Sequence, residues 1–189
     1  MSIIELKITL EYIEPAVTRT LQVPADIRLD RLHLTIQAAM GWTNSHLYRF
    51  EAAGATWGLA DPNFGGNDLP PNKTALAELI EDTGVKTINY LYDFGDSWDH
   101  KIEIGKISDP MPGELYPRLT DVRGRCPPED VGGFSGYEEF LEAMGDPKHP
   151  EHVDLKSWYG GDFDPNLPDT DELRLEVLKL AKRWKPKKK

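Results

Sequence analysis

The segment Ile4-Glu5-Leu6-Lys7-Ile8-Thr9-Leu10-Glu11-Tyr12 determines how the chain begins to fold, because apolar and polar side chains alternate along it without a break. Successive side chains of a β-strand point to opposite faces of the sheet, so this alternation predicts a strand that is buried on one face. Residues 17–23 follow a turn at Pro15 and predict a second strand, antiparallel to the first.

Further patterns predict a helix and more strands in the first two thirds of the chain. Apolar residues recur at helical spacing over residues 29–40, and Gly41 stands where a helix commonly ends. Residues 46–51 alternate as a strand with an aromatic face, and the chain can turn at Ala53-Gly54 into a partner strand. Three more strands are predicted, at residues 85–92, 97–107 and 119–122.

The last third predicts helices. Ser135 and Glu138 have the spacing of a capping box, which predicts a helix that begins at Ser135. A short helix is expected from Pro150, and a final helix from about residue 170. Strands come first and helices last, so the sequence predicts an α+β fold. We expect one domain over residues 1–184, a mainly antiparallel sheet packed against helices, followed by a basic tail at residues 185–189.

The charge is divided unevenly along the chain. The 189 residues carry 22 basic and 32 acidic side chains, a formal net charge of -10. Residues 1–178 hold 15 of the basic and all 32 of the acidic residues, a net charge of -17. Such a body repels the phosphates of nucleic acid over most of its surface. Contact with nucleic acid is therefore expected only through the tail residues Lys185, Lys187, Lys188 and Lys189.

The chain is expected to be a cytoplasmic protein with no membrane partner. Its N-terminus has no charged segment followed by an apolar one, so no signal peptide is predicted. No apolar run approaches the roughly 18 residues that a membrane span needs. Cys126 is the single cysteine, which excludes an intrachain disulfide and fits a reducing compartment.

The segment from Tyr90 to His100 has the densest group of acids and aromatics. Asp93 and Asp96 suit a metal site, but Asp is also a common residue of tight turns. His100 shares a predicted strand face with Trp98, so a hydrogen-bonded core histidine is favoured over a metal ligand or general base.

A second group of candidates lies in the Pro- and Gly-rich segment 126–137. Glu129 and Asp130 are adjacent carboxylates that could bind a hard cation, or could belong to a stiff loop that leads into the next helix. His149 and His152 could share a helix face and bind zinc, although a solvated helix start is favoured.

The chain resembles the Ri-plasmid ORF-3-like family, whose members are often labelled TnpR-like passenger proteins of insertion elements or resolvases. Four ordered motifs carry the resemblance, at residues 32–42 with 45–50, 92–100, 126–133 with 136–137, and 158–165. The resemblance implies the α+β fold of the family and an association with mobile elements, but no activity. Residues 61–72 and 167–169 depart from the family pattern. Few arginines and an acidic body do not support recombinase chemistry.

Three functions fit these features. The favoured one is a non-enzymatic binding module for a protein or small molecule. Its predicted cleft combines aromatic and acidic side chains: His46, Tyr92, Asp93, Asp96, Trp98, His100, Glu129 and Asp130. The second is a metal-dependent hydrolase, in which Asp93, Asp96, His100 and Glu129 are the first candidate ligands of a divalent metal. The third is a DNA-associated accessory factor that acts through the tail. No nucleophile–base pair is evident, so no catalytic residue is assigned and no other cofactor is predicted.

Overall fold

The alternating segment supplies strand β1 (Ile3–Leu10) in a computed structural model that describes residues 2–59 and 68–185. This strand pairs antiparallel with β2 (Val17–Pro24) on one side and with β6 (Trp98–Ser108) on the other. Leu6 lies opposite Leu21 in the register of the first pair, so both strands present apolar side chains to the same face. The strand and its partner are therefore as predicted.

The described residues form one antiparallel sheet of seven strands. The remaining strands are β3 (Tyr48–Ala52), β4 (Ala55–Gly58), β5 (Thr87–Tyr92) and β7 (Arg118–Arg123). The order across the sheet is β4-β3-β5-β6-β1-β2-β7. This order brings the ends of β3, β5 and β6 together at one side of the molecule, where the predicted site residues lie.

Helices cover the apolar face of the sheet. They are α1 (Leu29–Met40), α2 (Leu76–Thr83), α3 (Gly133–Gly145), α4 (His152–Tyr159) and α5 (Thr170–Trp184). The apolar stripe of α1 is fully buried at Leu32 and Ile36, and α5 packs against α1 and β7. An antiparallel sheet with helices packed against it is the α+β fold that the sequence predicts.

Two predicted helix starts are wrong. The helix α3 begins at Gly133 rather than Ser135, and no side chain caps it. The physical reason is the left-handed backbone of Gly132 (φ 95°), which lets the chain enter the helix two residues earlier. The helix predicted from Pro150 begins instead at His152.

Two predicted features fall wholly or partly outside the described residues. Most of the divergent segment 61–72 lies there, as does the tail beyond Lys185. Across residues 2–59 and 68–185, each helix is too short or too polar for a membrane span.

Candidate functional site

Three segments that are distant in the chain meet beside the ends of β3 and β5. They are the connection from α1 to β3 (41–47), the turn from β5 to β6 (93–97) and the segment 126–132. Trp42 Nε1 donates a hydrogen bond of 3.0 Å to the carbonyl of Pro127. The Gly132 amide donates a hydrogen bond of 3.2 Å to Asp96 Oδ2. The segment 126–132 is therefore held in place by the other two segments.

Asp93 is fixed at the start of the β5–β6 turn. Its backbone has a left-handed φ of 56°, and its amide donates to the carbonyl of Leu47 at 2.9 Å. The side-chain oxygen Oδ1 accepts hydrogen bonds from the amides of Gly95 and Asp96 at 2.9 and 3.3 Å. Because the turn uses Oδ1, the second oxygen is left facing His46, with Oδ2 3.5 Å from Nε2.

Four of the predicted side chains converge on one point, and we refer to His46, Asp93, Glu129 and Asp130 as the His46 cluster. Nε2 of His46 lies 2.9 Å from Asp130 Oδ1, 3.5 Å from Asp93 Oδ2 and 3.8 Å from Glu129 Oε2. One potential ligand atom from each of His46, Asp93 and Asp130 lies within 4.8 Å of the other two. That spacing suits donors arranged around a single cation.

Nε2 of His46 is shielded from solvent and has no hydrogen-bond partner among the described residues. The oxygen of Asp130 is close enough to Nε2 for an ion pair, but none of the three carboxylates forms an aligned hydrogen bond with this nitrogen. A buried polar atom without a hydrogen bond costs stability unless something else satisfies it. A proton shared with the carboxylates or a bound cation would satisfy this nitrogen.

Glu129 is held by a small hydrogen-bond network rather than by the cluster alone. The Thr43 amide donates to its Oε1 at 2.7 Å, and the Tyr92 hydroxyl donates to the same oxygen at 3.0 Å. The Ser45 amide in turn donates to the Tyr92 hydroxyl at 3.1 Å. Burial and the neighbouring Glu129 raise the pKa of Tyr92, which keeps this hydroxyl protonated as a donor.

The cluster is reachable from solvent. A surface groove of about 580 Å³ runs past His46, whose side chain is 30% exposed. The walls of the groove include Ser45, Tyr48 and Leu59. The groove therefore reaches the exposed part of the imidazole ring, whereas Nε2 stays covered.

The other predicted candidates lie outside the His46 cluster. Asp96 tethers Gly132 through one carboxylate oxygen, and Trp98 is buried in the core. His100 is also buried, with Nδ1 2.9 Å from the carbonyl of Trp98. The core-histidine interpretation fits that environment, because the ring has apolar and aromatic neighbours and a backbone carbonyl as its partner.

The two histidines considered for zinc have backbone hydrogen-bond partners, and the single cysteine is buried. Nδ1 of His152 lies 2.7 Å from the carbonyl of Ala143, and Nδ1 of His149 accepts the amide of Glu151 at 3.2 Å. Burial raises the pKa of the Cys126 thiol to about 12, which keeps it protonated and unreactive.

Two contributors to the site were not found from the sequence. Thr43 acts mainly through its backbone amide, which leaves no signal in residue type. Arg19 occupies a position on the buried face of β2, between Val17 and Leu21, and lines a cavity beside the site. An arginine in the apolar register of an alternating strand was a signal that could have identified it.

Comparisons with known proteins match nearly the whole chain. The family described as "Plasmid pRiA4b ORF-3-like protein" matches residues 2–172. "Uncharacterized protein y4hQ" of Sinorhizobium fredii (strain NBRC 101917 / NGR234) is 45% identical over 184 residues, which cover 97% of this chain and 94% of that protein. The "Crystal Structure of Protein of Unknown Function MM3350 from Methanosarcina mazei Go1" has a TM-score of 0.79 at 34% identity, over 90% of this chain and 96% of that one.

Proposed function

Because this chain belongs to the plasmid pRiA4b ORF-3-like family, whose matched relatives bear no activity in their names, we propose its function from the geometry of the site. It is a binding protein that holds a divalent metal ion in the His46 cluster. The observation that carries the proposal is the shielded Nε2 of His46, which has no hydrogen bond and lies among three carboxylates.

The donor set favours a first-row transition metal over calcium or magnesium. Imidazole nitrogen suits zinc and related ions, whereas carboxylate oxygen suits magnesium, calcium and manganese. A site that mixes one imidazole with carboxylates therefore fits Zn²⁺ or Mn²⁺. His46, Asp93 and Asp130 would be the ligands, and Glu129 would stand beside them with its position fixed by Thr43 and Tyr92.

Isothermal titration of the chelator-treated chain with Zn²⁺ or Mn²⁺ tests this proposal. We expect one equivalent to bind to the wild-type chain and His46→Gln to weaken binding by about tenfold or more, because one of few protein ligands is lost. His149→Gln is the matched control and should leave the affinity unchanged, since His149 Nδ1 accepts the amide of Glu151 and is not part of the His46 cluster. The proposal is wrong if neither metal binds, or if the two variants weaken binding equally.

A specific observation supports metal-assisted hydrolysis as a second candidate. Glu129 Oε2 lies 3.8 Å from His46 Nε2, just outside the group of three ligand atoms, and a groove runs past the exposed part of the imidazole. A carboxylate in that position could take a proton from a metal-bound water. Hydrolysis of a generic phosphate or carboxylate ester that needs Mn²⁺ or Zn²⁺ and is lost in Glu129→Gln would favour this candidate. Metal binding without turnover would favour the binding protein.

A further inference from the structure

A separate cavity of about 530 Å³ adjoins the His46 cluster. Its walls are the C-terminal half of α1, the helix α5 and residues 125–129. Glu129 lies on the boundary, because it lines this cavity while its carboxylate is 3.8 Å from His46 Nε2. The cavity is therefore a neighbour of the proposed metal site and has its own set of lining residues.

Arg19 is the buried charge in the wall of this cavity. The residue has no exposed surface, and its Nε donates to the carbonyl of Ala39 at 2.6 Å. Nη1 donates to carbonyls at the end of β7, those of Arg123 at 2.8 Å and Gly124 at 3.1 Å. Nη2 has no hydrogen-bond partner among the described residues. Backbone carbonyls thus hold the guanidinium in place through Nε and Nη1, whereas Nη2 remains without a hydrogen bond.

The guanidinium has no carboxylate within ion-pair distance among the described residues, as no salt bridge involves it. A buried charge that lacks a counter-ion is costly, and burial lowers the pKa of Arg19 for that reason. An oxyanion in the cavity would neutralise the charge of Arg19 and would also accept a hydrogen bond from its free N–H group.

The other charges around the cavity do not supply this anion. At its rim, Arg125 pairs with Asp169 at 3.0 Å and Lys179 pairs with Glu176, so these charges are already balanced. The thiol of Cys126 is protonated, because burial raises its pKa to about 12. The remaining unpaired charges of the lining, Arg183 and Glu172, are exposed to solvent. Arg19 is the charged lining residue that is fully buried.

We propose that this cavity binds a small molecule through a carboxylate or phosphate group that accepts a hydrogen bond from Arg19 Nη2. The ligand class is a small oxyanion-bearing metabolite, since the cavity volume limits the size of the bound part. The inference does not depend on the metal site, because none of the groups that hold Arg19 belongs to the His46 cluster.

Calorimetric titration with inorganic phosphate and, separately, with acetate tests the inference at constant ionic strength. Chelator-treated protein is used, so that a failure of the metal proposal leaves this result intact. We expect one of the two anions to bind at a single site, and the choice between them identifies phosphate or carboxylate as the group. Arg19→Met should weaken that binding by about tenfold to a hundredfold, the usual cost of a lost charged hydrogen bond.

Two further variants keep the test decisive. Arg174→Met removes the same charge from the exposed side of α5, outside the cavity lining, and should leave binding unchanged. Leu180→Trp fills the cavity from α5 while Arg19 stays, and should weaken binding even if Arg19→Met does not fold. The inference is overturned if neither anion binds, if Leu180→Trp binds normally, or if Arg174→Met weakens binding as much as Arg19→Met.

Discussion

The two carboxylate oxygens of Asp93 have different partners: Oδ1 accepts hydrogen bonds from amides of the turn, and Oδ2 faces the proposed metal ion. Asparagine keeps Oδ1 as an acceptor for the Gly95 amide and tolerates the left-handed φ of 56°, but it removes the charge. We expect Asp93→Asn to weaken metal binding by about tenfold or more, with the free energy of unfolding of the metal-free chain changed by less than about 1 kcal/mol.

Alanine at the same position tests whether the hydrogen bonds to Asp93 Oδ1 stabilise the turn. Asp93→Ala loses the acceptor for the turn amides and should lower the free energy of unfolding by about 1–3 kcal/mol. Urea unfolding and metal titration of both variants measure the two effects. Equal metal affinity in Asp93→Asn and the wild-type chain would contradict the assignment of Oδ2 as a ligand.

The buried histidines His33 and His100 predict how stability depends on pH. Burial lowers the pKa of each imidazole from 6.5 to about 4, so both rings are neutral in the folded chain. Below pH 6.5 the unfolded chain binds protons that the folded chain does not. The free energy of unfolding should therefore fall as the pH drops from 6.5 to about 4, by about 1.4 kcal/mol per pH unit for each histidine.

Two measurements check this prediction. Urea unfolding across that pH range gives the slope of the unfolding free energy against pH. His100→Gln should reduce this slope by about half, because one of the two buried histidines is removed. Proton NMR of the imidazole rings gives the two pKa values directly. A ring resonance of His33 or His100 that titrates near 6.5 would show that the ring is not buried as described.

At the scale of elements, Gly133 at the start of α3 lets the chain pass close to the β5–β6 turn. A Cβ on Gly133 would lie 2.6 Å from the carbonyl oxygen of Asp96, and its φ of 68° disfavours a side chain. Gly133→Ala should therefore lower the free energy of unfolding by about 1–3 kcal/mol and weaken metal binding, because Asp130 and Glu129 shift with the segment.

Gly145 at the other end of the same helix is the matched control. A Cβ there meets nothing within 4 Å and no left-handed φ is involved, so Gly145→Ala should be neutral or slightly stabilising. Urea unfolding of both variants, with a metal titration of Gly133→Ala, measures the difference. Equal stability of the two variants would show that the close approach to Asp96 is not a constraint.

Elements with strong periodicity were predicted well, and their ends were not. The helix α1 has the bounds that its apolar spacing and Gly41 predict, because its stripe is buried and a left-handed glycine ends it. The start of α3 was misplaced, because Ser135 has the composition of a cap but the left-handed backbone of Gly132, whose amide is bonded to Asp96, lets the helix begin earlier. Tertiary contact overrides a local capping pattern there.

At the scale of the whole molecule, the sequence supplied the residue types of the site but not their convergence. His46 and Asp130 are 84 positions apart by their numbers. The pairing of β3 with β5 brings His46 to Asp93, and tertiary hydrogen bonds to Pro127 and from Gly132 bring the segment of Asp130 to both. His100 was grouped with Asp93 because they are close in sequence, yet β6 directs its ring into the core. Nearness in sequence was therefore a poor guide to nearness in the site.

Anomalous diffraction from crystals grown with Zn²⁺ or Mn²⁺ shows whether the His46 cluster holds a divalent metal ion. We predict an anomalous peak about 2.0–2.3 Å from His46 Nε2 and from carboxylate oxygens of Asp93 and Asp130. A map without a peak at that position, or with its strongest peak at His149 and His152, would contradict the proposed metal site.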